Sequence, residues 1–183
     1  MSQELTKEQQ KMLLNLARSS IRAVLEETKE RETAILDPIF REKRGAFVTL
    51  KVEGRLRGCI GYPLPNKPLQ ETVSEMAVAA ATQDYRFKSL GREELPRTRI
   101  EISILSLPSE VKDPAQIDVG RHGLIISKGL AKGLLLPQVP VEYGWDRETY
   151  LRHACLKAGL DENEWKKGVT IEVFTAQVFS EED

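Results

Sequence analysis

The strongest constraint on the fold is the strict alternation of apolar and polar residues in Phe47-Val48-Thr49-Leu50-Lys51-Val52-Glu53. Gly54 and a second run, Arg55-Leu56-Arg57-Gly58-Cys59-Ile60-Gly61-Tyr62-Pro63, follow at once. Alternation of period two marks a strand with one buried face, and a glycine between two such runs marks a turn, so a β-hairpin is expected. A one-residue slip would send every side chain to the other face, so the register follows from which residues must lie inside. A three-residue loop of Glu53, Gly54 and Arg55 pairs Val52 with Leu56, Leu50 with Gly58 and Val48 with Ile60. It adds Leu56 and Ile60 to the core face and sets Arg57 and Cys59 beside Thr49 and Lys51 on the other. A two-residue loop would carry Arg57 inward among the valines, where an unpaired guanidinium is costly.

The first register places the Cys59 thiol among cations on the less apolar face of a sheet. Nearby positive charge favours a thiolate, which is the nucleophilic form. Gly58 and Gly61 carry no Cβ and leave room for a ligand or another backbone. The same residues also fit a plain structural segment: a small buried cysteine, glycines at a bulge, and arginines paired with carboxylates. The segment alone leaves both readings open.

Around the hairpin, Thr6-Lys7-Glu8-Gln9 is a capping box, followed by Met12, Leu13, Leu16, Ala17, Ile21, Val24 and Leu25 at helical spacing. The pattern predicts an amphipathic helix from about Lys7 to Glu30, with the charge run Glu26 to Glu32 as its solvated end. Residues 33 to 45, with Asp37-Pro38, connect it to the hairpin. Pro68 suits the first turn of a second helix carrying Leu69, Val73, Met76, Ala77 and Ala80 and ending near Gln83. Asp84-Tyr85-Arg86-Phe87 follows directly, with an aspartate and an arginine suited to tying down a loop. Arg99 to Leu107 alternates as a strand, and Arg121 to Ser127 is another. Gly129 and Gly133 frame a turn into Leu134-Leu135-Leu136-Pro137. Asp146 is an N-cap for a helix with Tyr150, Leu151, Ala154, Cys155 and Ala158, stopped by Gly159. Val169 to Phe179 alternates as a last strand. Helices and strands do not follow a βαβ rhythm, so the expected class is α+β with a mixed or antiparallel sheet.

Composition narrows the function classes. With 183 residues and 40% apolar content the chain has enough hydrocarbon for a packed core, and its net charge of −1 with interspersed signs argues against a nucleic-acid footprint. Two cysteines build no disulfide framework, the start Met1-Ser2-Gln3-Glu4 lacks the regions of a signal peptide, and no apolar run approaches the ~18 residues that span a bilayer. A reduced, cytoplasmic protein is expected. His122, His153, Cys59 and Cys155 are the soft ligands, and none form a metal-binding pair by spacing, so neither a metal nor a cofactor is expected.

Leu56-Arg57-Gly58-Cys59-Ile60-Gly61 resembles the hallmark of the AMMECR1 family. The resemblance extends in the right order through Asp84-Tyr85-Arg86-Phe87, Glu94-Leu95-Pro96, His122-Gly123, Leu136-Pro137-Gln138-Val139 and Gly144-Trp145-Asp146, over about residues 45 to 180. The early helix is like that of its archaeal and bacterial members. The resemblance implies an α+β protein of two packed subdomains. The larger would take about residues 1–107 plus 165–183, with both termini, and the smaller about 108–164. It also implies association with Memo-like and radical-SAM proteins, and it supplies no reaction. Two positions depart from the family pattern: Tyr62 stands where threonine is frequent, and Gln138 where glutamate is frequent.

Two functions fit these blocks. In a binding module, Arg57, Arg86 and Lys51 with Gly58 and Gly61 would hold a small anion, such as a phosphate or carboxylate, or an acidic partner segment, because a planar guanidinium takes such groups bidentately. In a thiol enzyme, Cys59 would be nucleophile, His122 its base, Asp84 or Glu142 the orienting group, and Arg57 with Arg86 an anion clamp. Trp145, Trp165 and Tyr143 are expected to pack between subdomains, and His153 to be an ordinary helix residue.

Overall fold

The computed structural model describes residues 4–28 and 37–181. The chain divides into two compact units: residues 1–105 with 177–183, and residues 106–176. The return to the first unit thus comes at Gln177 and not near residue 165. The segment between pairs with strands of the second unit.

The first unit is built on helix α1 (Lys7–Leu25), strands β1 (Ala46–Val52) and β2 (Arg55–Tyr62), helix α2 (Leu69–Thr82) and strand β3 (Thr98–Leu105), with β8 (Ala176–Ser180) closing the sheet. Its strand order is β2-β1-β3-β8, and β1 runs antiparallel to both of its neighbours. Thr6 and Gln9 form the expected capping box reciprocally. The helix stops at Leu25, earlier than periodicity suggests. Glu27 takes φ 55°, its N–H donates to Val24 O, and the Thr28 N–H donates to Ala23 O. This is a Schellman stop with glutamate where glycine is usual, so no residue type announced it. The rest of the expected helix to Glu30, the charge run beyond Thr28, and residues 33–36 of the expected connection lie outside the described residues.

Val48, Leu50, Ile100 and Ile102 point from the sheet into a core completed by Leu13, Ala17 and Ile21 of α1 and Leu69, Val73 and Ala77 of α2, all fully buried. The outward residues Phe47, Thr49 and Lys51 are half-buried, as strict alternation requires.

The hairpin register combines the two alternatives that the sequence offers. Val48 pairs with Ile60, Thr49 with Cys59 and Leu50 with Gly58, as a three-residue loop requires. Nearer the turn, Lys51 pairs with Leu56 and Val52 with Arg55, because Glu53 (φ 51°) and Gly54 (φ 75°) make a two-residue turn. A bulge at Arg57 absorbs the difference. Leu56 is therefore 42% exposed and not part of the core face, a correction to the expected pairing with Val52.

Gly58 lies against α2. A Cβ on it would stand 2.1 Å from the Ala80 carbonyl oxygen, so helix backbone fills the space that glycine leaves. Ala77, Ala80 and Ala81 keep that stretch of helix thin enough to approach.

The second unit has β4 (Ser109–Glu110), β5 (Gly123–Lys128), β6 (Ala131–Leu135), α3 (Gln138–Glu142), α4 (Arg147–Lys157) and β7 (Thr170–Phe174), with sheet order β4-β7-β5-β6 and antiparallel pairing throughout. Its core gathers Ile117, Leu124, Ile126, Tyr150, Leu151, Ala154 and Cys155. Asp146 caps α4 through the Thr149 N–H, and Gly159 at φ 76° ends it. The single last strand expected over residues 169–179 is two strands in different sheets. They break at Thr175, whose N–H and C=O go to Ser106. The fold is α+β with antiparallel sheets flanked by helices. No helix among the described residues is long and apolar enough to cross a membrane.

Gly58→Ala should lower stability by about 2 kcal/mol or more, because the methyl group has rigid backbone in its way. Gly54→Ala, whose Cβ meets open space, should lose only about 1 kcal/mol for its left-handed φ. Urea denaturation of the two variants checks the ordering; equal losses would show that α2 does not depend on this contact.

Candidate functional site

Strand β2 is an edge of its sheet, so half of its backbone groups face no neighbouring strand. At Cys59 both such groups are taken by the loop that leaves α2. The Cys59 N–H donates to Asp84 Oδ2 at 2.9 Å, and the Cys59 carbonyl accepts from Arg86 Nη2 at 3.3 Å. Asp84 also accepts from Arg86 Nε at 2.9 Å and Nη2 at 2.7 Å, and from the Arg86 backbone N–H at 3.2 Å. Asp84 is 5% exposed. The Arg86 guanidinium, with help from the Cys59 and Arg86 backbone N–H groups, holds its carboxyl well below the usual carboxylate range against the opposing effect of burial. Asp84 in turn raises Arg86.

One step along the edge, Arg57 grips the continuation of the same loop. Its Nε and Nη2 each lie 2.9 Å from a Glu94 oxygen, a bidentate fork, while Nη1 donates to Lys88 O at 2.7 Å and Nη2 to Ser89 O at 3.2 Å. Glu94 accepts the Gly91 N–H as well, and its carboxyl is lowered, chiefly by Arg57. Residues 84–89 therefore run beside β2 and shield its open edge.

Several expectations change on this geometry. Arg57, half-buried and committed to Glu94, is not directed at an outside anion together with the sulfur. Lys51 is paired with Glu101 at 2.8 Å. Gly58 opens onto α2, as above. Gly61 lies under the Phe47 ring, which a Cβ would meet at 2.0 Å, so neither glycine leaves a gap for a ligand. Arg86 is the guanidinium that remains available: its side chain is 44% exposed, and its Nη1 has no hydrogen-bond partner among the described residues. Phe87 supports it from one face, with the guanidinium carbon 5.5 Å from the ring centroid.

Cys59 itself is half-buried, and its sulfur accepts a hydrogen bond from Thr49 Oγ1 at 3.2 Å, on the face the register predicted. Cys59 and Asp84 belong to the first unit, His122 and Glu142 to the second. His122 closes a turn in which its Nδ1 accepts the Asp118 N–H at 3.1 Å. The neutral ring then carries its proton on Nε2, and neither nitrogen offers a free lone pair. Glu142 is exposed on the short helix α3. Trp145 stacks on His153, with centroids 3.9 Å apart, and on Tyr143 at 5.1 Å; all three lie within the second unit. The stack gives His153 a partner that helical spacing did not reveal. Among the described residues no group of three or more His, Cys, Asp or Glu is placed to hold a metal. Tyr85 is 95% exposed at the centre of the Asp84–Phe87 loop. An aromatic between an aspartate and an arginine just after a helix end marks such a position in the sequence.

The AMMECR1 family pattern matches residues 14–179. A protein of Methanopyrus kandleri is 47% identical over an alignment covering all of this chain and 93% of the relative. One of Methanocaldococcus jannaschii is 51% identical over 78% of this chain and 76% of the relative. The crystal structure of an uncharacterized protein from Pyrococcus horikoshii superposes with a TM-score of 0.78 at 42% identity, covering 93% of this chain and 90% of that one. An α+β protein with a cysteine on an edge strand locked by an Asp-Tyr-Arg-Phe loop is the class in view. The chain belongs to the AMMECR1 family.

Two outcomes follow. Native protein should present one thiol to an alkylating reagent, Cys59, because Cys155 is fully buried and burial pushes its thiol up; labelling of both at equal rates, read by mass spectrometry, would contradict this. Asp84 and Glu94 are depressed in the folded state, so their stabilisation is complete above the unfolded carboxyl range near pH ~4 and is lost as pH falls through the folded values. The stability gap between wild type and Asp84→Asn should therefore shrink on acidification below that range, and a gap independent of pH would remove the ionised carboxylate from the account.

Proposed function

We propose that the protein is a binding module whose Arg86, set beside Cys59, receives an anionic group. The observation that carries this reading is the state of the Arg86 guanidinium. Asp84 and the Cys59 carbonyl fix three of its N–H groups, while Nη1 stays without a partner among the described residues on an exposed side chain. A donor already held in place loses little conformational freedom when it binds, and arginine keeps its charge at any physiological pH. The contact is made by one nitrogen. It suits one oxygen of a phosphate or carboxylate and not the bidentate clamp that two free arginines would form.

Inorganic phosphate is a direct probe. In nitrogen-15 spectra it should shift the amides of Cys59, Asp84 and Arg86 saturably, and Arg86→Gln should weaken the effect about tenfold, the ~1.4 kcal/mol expected of one charge-assisted hydrogen bond. Cys59→Ser, which exchanges the sulfur and leaves the backbone carbonyl, should bind as wild type does. Shifts spread over the surface, or unaltered in Arg86→Gln, would reject the site, and loss of binding in Cys59→Ser would transfer the function to the thiol.

A further inference from the structure

We infer that the strip formed by the end of β2 and the 84–89 loop docks an acidic segment of a partner protein, with Tyr85 as its anchor. The inference rests on the anion reading of Arg86 and names the occupant. Arg86 lies beside Cys59, and the Lys88 carbonyl lies on Arg57, so the loop follows β2 from residue 59 back toward its turn. Arg55 and Lys88 are exposed and form no ion pair among the described residues, and Arg86 adds its open Nη1. The two carboxylates bonded into this strip, Asp84 and Glu94, are both engaged by guanidiniums, and Glu53 in the turn lies 3.8 Å from Arg97. The strip is therefore left with outward positive charge in a chain whose net charge is −1.

Apolar surface frames that charge: Tyr85, 95% exposed, at the Cys59 end, and Leu56, 42% exposed, at the turn end. Small-molecule sites enclose most of their ligand. A ring that shows nearly its whole surface encloses nothing and instead enters a hollow on something larger. Tyrosine and arginine are the residue types that dominate protein interfaces in this way. Four strand residues, from Leu56 to Cys59, span about 10 Å, so the strip matches three or four residues of extended chain. Single-stranded RNA would require several stacking rings along a basic groove, and the strip presents one exposed ring. The complement is thus a short extended segment with carboxylates opposite Arg55, Lys88 and Arg86 and an apolar side chain against Tyr85.

Fluorescence anisotropy on the full chain tests this with a labelled peptide of alternating glutamates around one phenylalanine, its glutamine counterpart, and a labelled oligouridine. The acidic peptide should bind, its glutamine counterpart should not, and Tyr85→Ala and Lys88→Glu should each weaken binding about tenfold, as removal of an interface anchor or of a complementary charge does. Both side chains are exposed, so unchanged thermal melting will show that the variants fold. If the peptide does not bind, or binds the variants as well as wild type, while inorganic phosphate still shifts Cys59 and Arg86, the inference falls and the anion site stands. If phosphate fails as well, both fall. Tighter binding of oligouridine with the same dependence on Tyr85 and Lys88 would overturn the protein partner in favour of nucleic acid.

Discussion

The structure around Cys59 depends on one buried carboxylate. Asp84 accepts hydrogen bonds from the Cys59 N–H, the Arg86 N–H and two nitrogens of the Arg86 guanidinium, so a charge with almost no access to water is satisfied on several sides. A carboxylate buried without such partners would cost several kcal/mol. The arrangement fixes the start of the loop: without it the Cys59 N–H and the Arg86 groups lose their acceptor, and only the Arg57 contacts with Glu94, Lys88 and Ser89 still tie the segment to β2. The same carboxylate fixes where Arg86 points. Control of a strand edge and presentation of a donor are thus one interaction seen from two sides.

The second constraint is the conflict between a turn and a core. Glu53 and Gly54 both adopt positive φ, the geometry of a two-residue hairpin turn, and that turn continued without interruption would carry Arg57 to the core face. Burial of Val48 and Leu50 opposite Ile60 and Gly58 demands the other phase. One extra residue in the bulge reconciles them, and the residue left over is Arg57. Released from strict alternation, it reaches the loop and forks onto Glu94. The bulge thus links hairpin geometry to the second staple of the 84–94 segment, a use of bulges that recurs where a side chain must be re-aimed.

These features explain what could be read from the residues. Alternation in β1 and β3, the capping box at Thr6, the N-cap at Asp146 and the stop at Gly159 are local patterns with local causes, and each is present. The end of α1 at Glu27 was hidden because a glutamate adopts the conformation that glycine usually signals. The break at Thr175 was hidden because two strands in different sheets share one continuous apolar rhythm. At the site, the register placed Cys59 beside Thr49, and the position of Asp84 and Arg86 after a helix end pointed to a tied-down loop, though not to their pairing with each other. What sequence could not show was which partners fill each gap and meet each charge. Gly58 and Gly61 looked open, yet Ala80 and Phe47 occupy them. Lys51, Arg57 and Arg86 looked equivalent, yet of the three only Arg86 has a nitrogen, Nη1, with no hydrogen-bond partner among the described residues.

That last difference shapes the chemistry available on this edge. A cluster of free guanidiniums would attract any anion and discriminate poorly, whereas cations matched one to one with carboxylates leave little field beyond the pair. Here Lys51 with Glu101 and Arg57 with Glu94 are matched, and the Asp84–Arg86 pair is matched on its inner side alone. Recognition at such a surface depends less on total charge than on position: one oriented N–H group, unpaired cations at Arg55 and Lys88, and an exposed aromatic ring held on a loop that is stapled at both ends. The hydrogen bonds that cover the edge also orient Arg86 on the loop that carries Tyr85, and an oriented donor is what a selective contact requires.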